Sequence, residues 1–204
     1  MLNDQQLTAL TIVLRHGEDE ASAALSKWLG RTARISVEQV EQLPLAEASA
    51  VVGSPDAPVC ACAMAMHGRI TGQLILMFDD ASGLALADLL LGNPVGACKS
   101  WGEVEQSAAL ETTNIIGCAY LNALVHFFRA SEGKTCELVP SPPRFARDFA
   151  ESLMQFALMN QAMASDVVFL TRTEFRIEGA PVNWSLLFVP DADSLATLTE
   201  MLPT

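Results

Sequence analysis

The sequence predicts an α+β fold in which two pseudo-symmetric halves share one mainly antiparallel sheet with helices packed on it. Three observations carry this expectation. The order long helix, extended piece, helix, strand pair, helix runs through residues 4–91 and again through residues 101–202. A gapless local match sets Leu76-Met77-Phe78-Asp79-Asp80-Ala81-Ser82-Gly83-Leu84 against Leu187-Phe188-Val189-Pro190-Asp191-Ala192-Asp193-Ser194-Leu195, both reading strand, acidic turn, helix start. Half of the 204 residues are hydrophobic, enough to bury one sizeable core.

In the first half, apolar spacing makes residues 4–30 a helix, 32–43 an extended piece and 45–52 a second helix. Residues 58–67 and 70–78 read as paired strands, followed by a helix over 81–91. Gly92-Asn93-Pro94-Val95-Gly96 is turn chemistry that closes this half. The second half repeats the order: a long helix over 101–129, an extended piece over 135–141, a helix over 147–163, strands over 166–177 and 182–189, and a last helix over 192–202. Ala24-Leu25 against Ala123-Leu124 sets the register between the two long helices. The halves, about 3–92 and 101–202, each end in a strand pair with one apolar face, so a single domain over 1–204 is expected. Asp80 and Asp191 stand where a helix N-cap accepts backbone N–H groups, which gives them a capping role. Open strand edges at either end of the sheet would permit a homodimer.

The net charge is −12, from 24 acidic against 12 basic residues, without a Lys/Arg run to track a phosphate backbone, so nucleic acid is excluded as a partner. The N-terminal residues lack the basic and apolar regions of a signal peptide, and no apolar stretch is long enough for a bilayer; a cytoplasmic protein is expected. Five cysteines lack the spacing of a disulfide framework and read as reduced. Cys60 and Cys62 fall on one strand face, but His67 is the only further ligand nearby, so no metal site is expected. His16, His67 and His126 lie on different elements, without a triad-like setting.

The helix over 101–129 has a chemical face. On a helical wheel Ala109, Thr113, Ile116, Tyr120, Ala123, Leu124 and Phe127 share the core side. The other side carries Glu103, Ser107, Glu111, Asn114, Cys118 and Asn122. Ser107, Glu111 and Asn114, spaced i, i+4 and i+7, are neighbours in space. A face chosen for helix stability would favour Lys, Glu, Gln and Arg; this one also uses Ser and Asn, weaker helix formers, and offers Glu111 no base within the helix.

The run from Ser107 through Glu111 and Asn114 into Ile115-Ile116-Gly117, with Val139-Pro140-Ser141-Pro142-Pro143 downstream and Gly72-Gln73-Leu74-Ile75-Leu76-Met77-Phe78 upstream, resembles the signature of the CheC/CheX/FliY family of chemotaxis phosphatases. The resemblance implies an enzyme that hydrolyses the aspartyl phosphate of a CheY-like response regulator. Its catalytic residues would be Glu111 and Asn114, with Ser107, Cys118 and Pro140 binding the partner. It would have no cofactor of its own, the Mg²⁺ being supplied by the phosphorylated regulator. The alternative is a non-catalytic adaptor that binds a regulator or a CheD-type deamidase. In the matched register the first helix has Thr8, Ile12 and Arg15 instead of the motif, so one active site per chain is expected. Pro140 also comes late, 25 residues separating it from Asn114, which a small insertion around Ser131–Lys134 would explain. The segment His16-Gly17-Glu18-Asp19-Glu20 is expected to be a solvated or kinked part of the helix.

Overall fold

A reciprocal cap begins the first helix. The Gln6 N–H donates to the Asn3 side chain at 2.9 Å while the Gln6 side chain accepts the Asn3 N–H at 3.0 Å. Gly30, left-handed at φ 65°, ends it. The computed structural model describes residues 2–44, 47–48, 54–132, 137–163, 167–180, 182 and 184–201. The elements are α1 (Asp4–Leu29), β1 (Ala33–Pro44), β2 (Pro58–Gly68), β3 (Gly72–Asp79), α2 (Asp80–Leu91), α3 (Glu103–Glu132), β4 (Leu138–Pro140), β5 (Arg144–Phe149), α4 (Ala150–Ala162), β6 (Val167–Ile177), β7 (Trp184–Pro190) and α5 (Ala192–Met201). The fold is α+β, with antiparallel sheets and helices packed on them.

Strand pairing crosses the two sequence halves. β3 pairs with β7, β1 of the first half pairs with β6 of the second, and β4 and β5 of the second half pair with β2 of the first. The sheet expected to be continuous has a seam between β6 and β7. There the N–H groups of Leu186 and Phe188 donate to the hydroxyls of Thr173 and Thr171, each at 3.2 Å. These threonines are buried, and their hydroxyls satisfy backbone groups that a regular ladder would have paired.

Alternation along the strands divides the core. Cys60, Cys62, Met64 and Met66 of β2, Leu74, Leu76 and Phe78 of β3, and Leu186 and Phe188 of β7 join the cluster that contains the buried faces of α1 and α3. Val59, Ala61, Ile75, Met77, Leu187 and Val189, on the other face, pack with Met154 and Leu158 of α4. At Gly17, α1 comes close to α3: a Cβ there would lie 3.0 Å from the Tyr120 ring and 3.2 Å from the Ala123 Cβ.

The free edge of β1 is not open. The N–H groups of Ala33, Ile35, Val37 and Val40 donate to Ser26, Ser22, Glu18 and Thr11 of α1 at 2.9, 2.9, 2.6 and 3.1 Å. The Arg15 guanidinium donates to the Val37 and Glu38 carbonyls, across the register shift that follows Val37. A polar stripe of α1 therefore takes the place of a neighbouring strand. This corrects the expectation of an edge open to dimerisation at that end, and it gives Glu18 a structural purpose where a merely solvated segment was expected.

Two further expectations are corrected. The helix expected from residue 147 begins at Ala150, because residues 144–149 form β5, pairing with β2 from Ala63↔Arg144 to Pro58↔Phe149. The cap of α2 is Asp79, whose side chain accepts the Ser82 N–H at 2.7 Å. Asp80 instead accepts the Trp101 indole N–H and a two-pronged bond from Arg147. Of the expected helix over 45–52, residues 47–48 are helical and the rest lies outside the described residues, as do Cys136 and the start of the extended piece at 135. Among the described residues Cys60, Cys62, Cys98 and Cys118 are free thiols, and no helix is long and apolar enough to cross a membrane.

Candidate active site

The position of α3 is set before the helix begins. Asp88, fully buried near the end of α2, accepts the N–H groups of Gly96, Ala97 and Cys98 at 2.7, 2.9 and 2.9 Å, folding the connector between α2 and α3 around one carboxylate. Burial works against that charge, but the hydrogen bonds from Cys98, Gly96 and Ala97 outweigh it and hold the carboxyl below its ordinary range. Trp101 then packs against Phe78 and Phe145, and Glu105 accepts the Gly102 N–H at 2.9 Å.

Along α3 the buried side carries Ala109, Thr113, Ile116, Tyr120, Ala123 and Leu124, with Phe127 partly buried against the same core. Glu103, Ser107, Glu111 and Asn122 are exposed, and Asn114 and Cys118 are half-buried. Ser107, Leu110, Glu111 and Asn114 form one wall of an open groove of about 470 Å³; Pro140, Ser141, Pro142 and Pro143 form the other. The proline segment is brought there by β2. Pro140 pairs with Met66, the Ser141 N–H donates to the Ala65 carbonyl at 2.9 Å, and the Ala65 N–H donates to the Ser141 hydroxyl at 3.0 Å. Pro140 thus meets Asn114 across the groove despite its distance in sequence. A separate cavity of about 570 Å³ on the far side of the proline segment contains none of the motif residues.

The two polar groups at the centre differ in how they are held. The Cys118 thiol, one turn along, donates to the Asn114 carbonyl oxygen at 3.7 Å. Burial and the Glu111 charge push that thiol's pKa up, so it stays protonated and available as a donor. Among the described residues, Glu111 has no hydrogen-bond or ion-pair partner, and its carboxylate is free for a cation brought from outside. Cys118 does not line the groove itself. Ser141 and Leu110 do, and sequence reasoning had not singled them out; the proline cluster was the only signal for Ser141.

On α1 the matched positions are differently used. Thr8 donates to the Asp4 carbonyl at 2.7 Å, Ile12 is 49% exposed, and Arg15 is committed to the β1 backbone. His16 bonds the Ile12 carbonyl at 2.7 Å. No carboxylate–carboxamide pair stands at Thr8, Ile12 and Arg15. Among the described residues no three His, Cys, Asp or Glu side chains come together as metal ligands would.

No protein-family model matches the chain. It is 23% identical over 201 residues to the CheY-P phosphatase CheC of Bacillus subtilis (strain 168), an alignment spanning 97% of this chain and 93% of that protein. Over nearly its whole length, then, the chain is similar to a phosphatase of the CheC/CheX/FliY family. In three dimensions it is similar to FliY of Thermotoga maritima, with a TM-score of 0.78 at 20% identity over 99% of this chain and 98% of that one. It also resembles a chain of the FliG–FliM complex from H. pylori, with a TM-score of 0.64 at 13% identity over 96% and 100% of the two. At these identities the structural likenesses establish a shared fold.

Proposed function

We propose that this protein is a cytoplasmic phosphatase that hydrolyses the aspartyl phosphate of a CheY-like response regulator in chemotaxis or two-component signalling. The observation that carries the reading is the pairing of an unengaged Glu111 with Asn114 on the exposed face of α3, opposite the proline segment. The end-to-end likeness to a CheY-P phosphatase supports it.

Hydrolysis of an acyl phosphate requires a water in line with the bond between phosphorus and the aspartyl oxygen. As the water oxygen bonds to phosphorus, that bond breaks, leaving inorganic phosphate and a free carboxylate. Most of the gain comes from positioning and electrostatics. Asn114 has the chemistry for this role. Its carbonyl oxygen orients the water, its N–H₂ donates to a phosphoryl oxygen, and its charge does not change near neutral pH. Cys118, bonded to the same carbonyl, limits how the carboxamide can turn. Glu111 pairs with a lysine of the regulator and sets the register of docking. Ser107 and Pro140 contact the partner along the groove. The Mg²⁺ arrives with the phosphorylated regulator and belongs to the substrate.

A second reading, a non-catalytic adaptor for a regulator or a CheD-type deamidase, draws on the fold it shares with FliM, a chain solved in complex with FliG. Loss of acyl phosphate from a panel of Mg²⁺-loaded, phosphorylated CheY-like regulators separates the two. The phosphatase reading expects acceleration by the wild type, weakened binding by Glu111→Ala, and no acceleration by Asn114→Ala. Binding without acceleration by the wild type favours the adaptor.

A further inference from the structure

We propose that Trp28 forms the wall of the regulator-docking surface opposite the proline segment and acts as its main affinity anchor. This inference rests on the phosphatase reading above. Its starting point is the indole N–H of Trp28, at the end of α1, which donates to the Thr112 hydroxyl of α3 at 3.0 Å. Thr112 is fully buried and adjoins Glu111 in sequence.

Helix geometry then fixes what lies between the two walls. Glu111 is displaced from Thr112 by about 100° around α3, and Ser107 and Asn114 lie farther round in the same direction, toward the prolines. The exposed strip of α3 that carries Glu111 is therefore bordered by Trp28 on one side and by Pro140–Pro143 on the other.

Trp28 is 38% exposed, and one exposed aromatic residue needs no explanation by itself. What sets Trp28 apart is its position and its fixed orientation. With the only polar atom of the ring already bonded, the indole offers an oriented apolar surface that loses little freedom when a partner covers it. Such residues carry a large share of binding energy at protein interfaces. Val104, 55% exposed on the same strip, extends the apolar part.

The charge identifies the occupant. Glu103 and Glu111 are exposed on α3, and the helix has no Lys or Arg before Arg129. An acidic strip beside an aromatic ring suits a surface that presents a basic side chain together with an apolar one, with a lysine for Glu111 and a guanidinium or methylene stem over the indole. The partner is the CheY-like receiver domain itself, docked with its acyl phosphate over Asn114.

The test uses a regulator that the wild type dephosphorylates, loaded with Mg²⁺ and beryllofluoride as a stable mimic of the phosphorylated form. Its Kd is measured for wild type, Trp28→Ala and Trp28→Phe, with phosphate loss at saturating protein measured alongside. Trp28→Ala is expected to raise Kd at least tenfold and to leave the saturated rate within threefold, while Trp28→Phe, which keeps an aromatic face but loses the bond to Thr112, falls between wild type and Trp28→Ala in Kd and also leaves the saturated rate within threefold. A Kd for Trp28→Ala within twofold of wild type overturns the inference and leaves the phosphatase reading standing. An equal loss of affinity in Trp28→Phe also overturns it, because the aromatic face would then not be the anchor. If the wild type accelerates phosphate loss from no regulator, the phosphatase reading fails and this inference falls with it.

Discussion

Replacing Asp88 by Asn keeps the shape of a fully buried side chain and changes only its charge and one of its acceptors. The carboxylate accepts Gly96 and Ala97 on Oδ2 and Cys98 on Oδ1. The better of the two amide orientations keeps the oxygen on the first pair and turns N–H₂ toward the Cys98 N–H, leaving a donor unsatisfied at a cost of about 1–3 kcal/mol. The two remaining bonds change from charge-assisted to neutral and lose about 1 kcal/mol each. The sum, about 3–5 kcal/mol, is a large part of the stability of an ordinary domain. Urea unfolding should show a lower midpoint with an unchanged slope. The sign of the pH dependence follows from the lowered pKa of Asp88. Its contribution is complete above the ordinary carboxyl value of 3.8 and is lost as pH falls through the lower folded value, so the gap between wild type and variant should be constant at neutral pH and narrow in acid. A loss below about 1 kcal/mol, or a gap that widens in acid, would refute the reasoning.

Three further outcomes are expected. Ser22→Ala removes the partner of the Ile35 N–H and should cost about 1–2 kcal/mol in urea unfolding, with concentration-dependent association in sedimentation if the seal on the β1 edge is what keeps it unpaired. Thr171→Val leaves the Phe188 N–H without its acceptor at the buried seam and should cost about 1–3 kcal/mol by the same measure. Asp80 is held down to about 2 by its bonds to Arg147, Trp101 and Cys60, against the effect of burial. The stability that Asp80→Asn loses should therefore be fully present in the wild type above pH 3.8 and disappear as pH falls toward about 2, as read by unfolding at a series of acid pH values.

The order of elements was legible because each announces itself locally. Caps, apolar periodicity and the turn at Gly92 mark α1, α2 and α3, and the two sides of α3 separate as its wheel predicts. Pairing between distant strands was not legible. Arg144–Phe149 alternates too weakly to announce β5, which exists because β2 offers it an edge. The sealing of β1 was hidden for a similar reason: Thr11, Arg15, Glu18, Ser22 and Ser26 look like an ordinary solvated stripe until β1 is laid beside them. At the candidate site, helix spacing alone brings Ser107, Glu111 and Asn114 together. The arrival of Pro140 and Ser141 depends on bonds to Ala65 and Met66, and the position of Trp28 on a contact 84 residues apart in sequence; neither leaves a local pattern.

The measurement that bears most directly on the proposed function is the decay of acyl phosphate from a Mg²⁺-loaded, phosphorylated CheY-like regulator at saturating protein, comparing wild type with Asn114→Ala. Binding to the beryllofluoride form is measured in parallel. Asn114→Ala is expected to bind within a few-fold of wild type yet lose the acceleration by about 10²-fold or more, because the water has lost its positioning group. Acceleration retained in the variant, or absent from the wild type despite tight binding, would contradict the proposed mechanism.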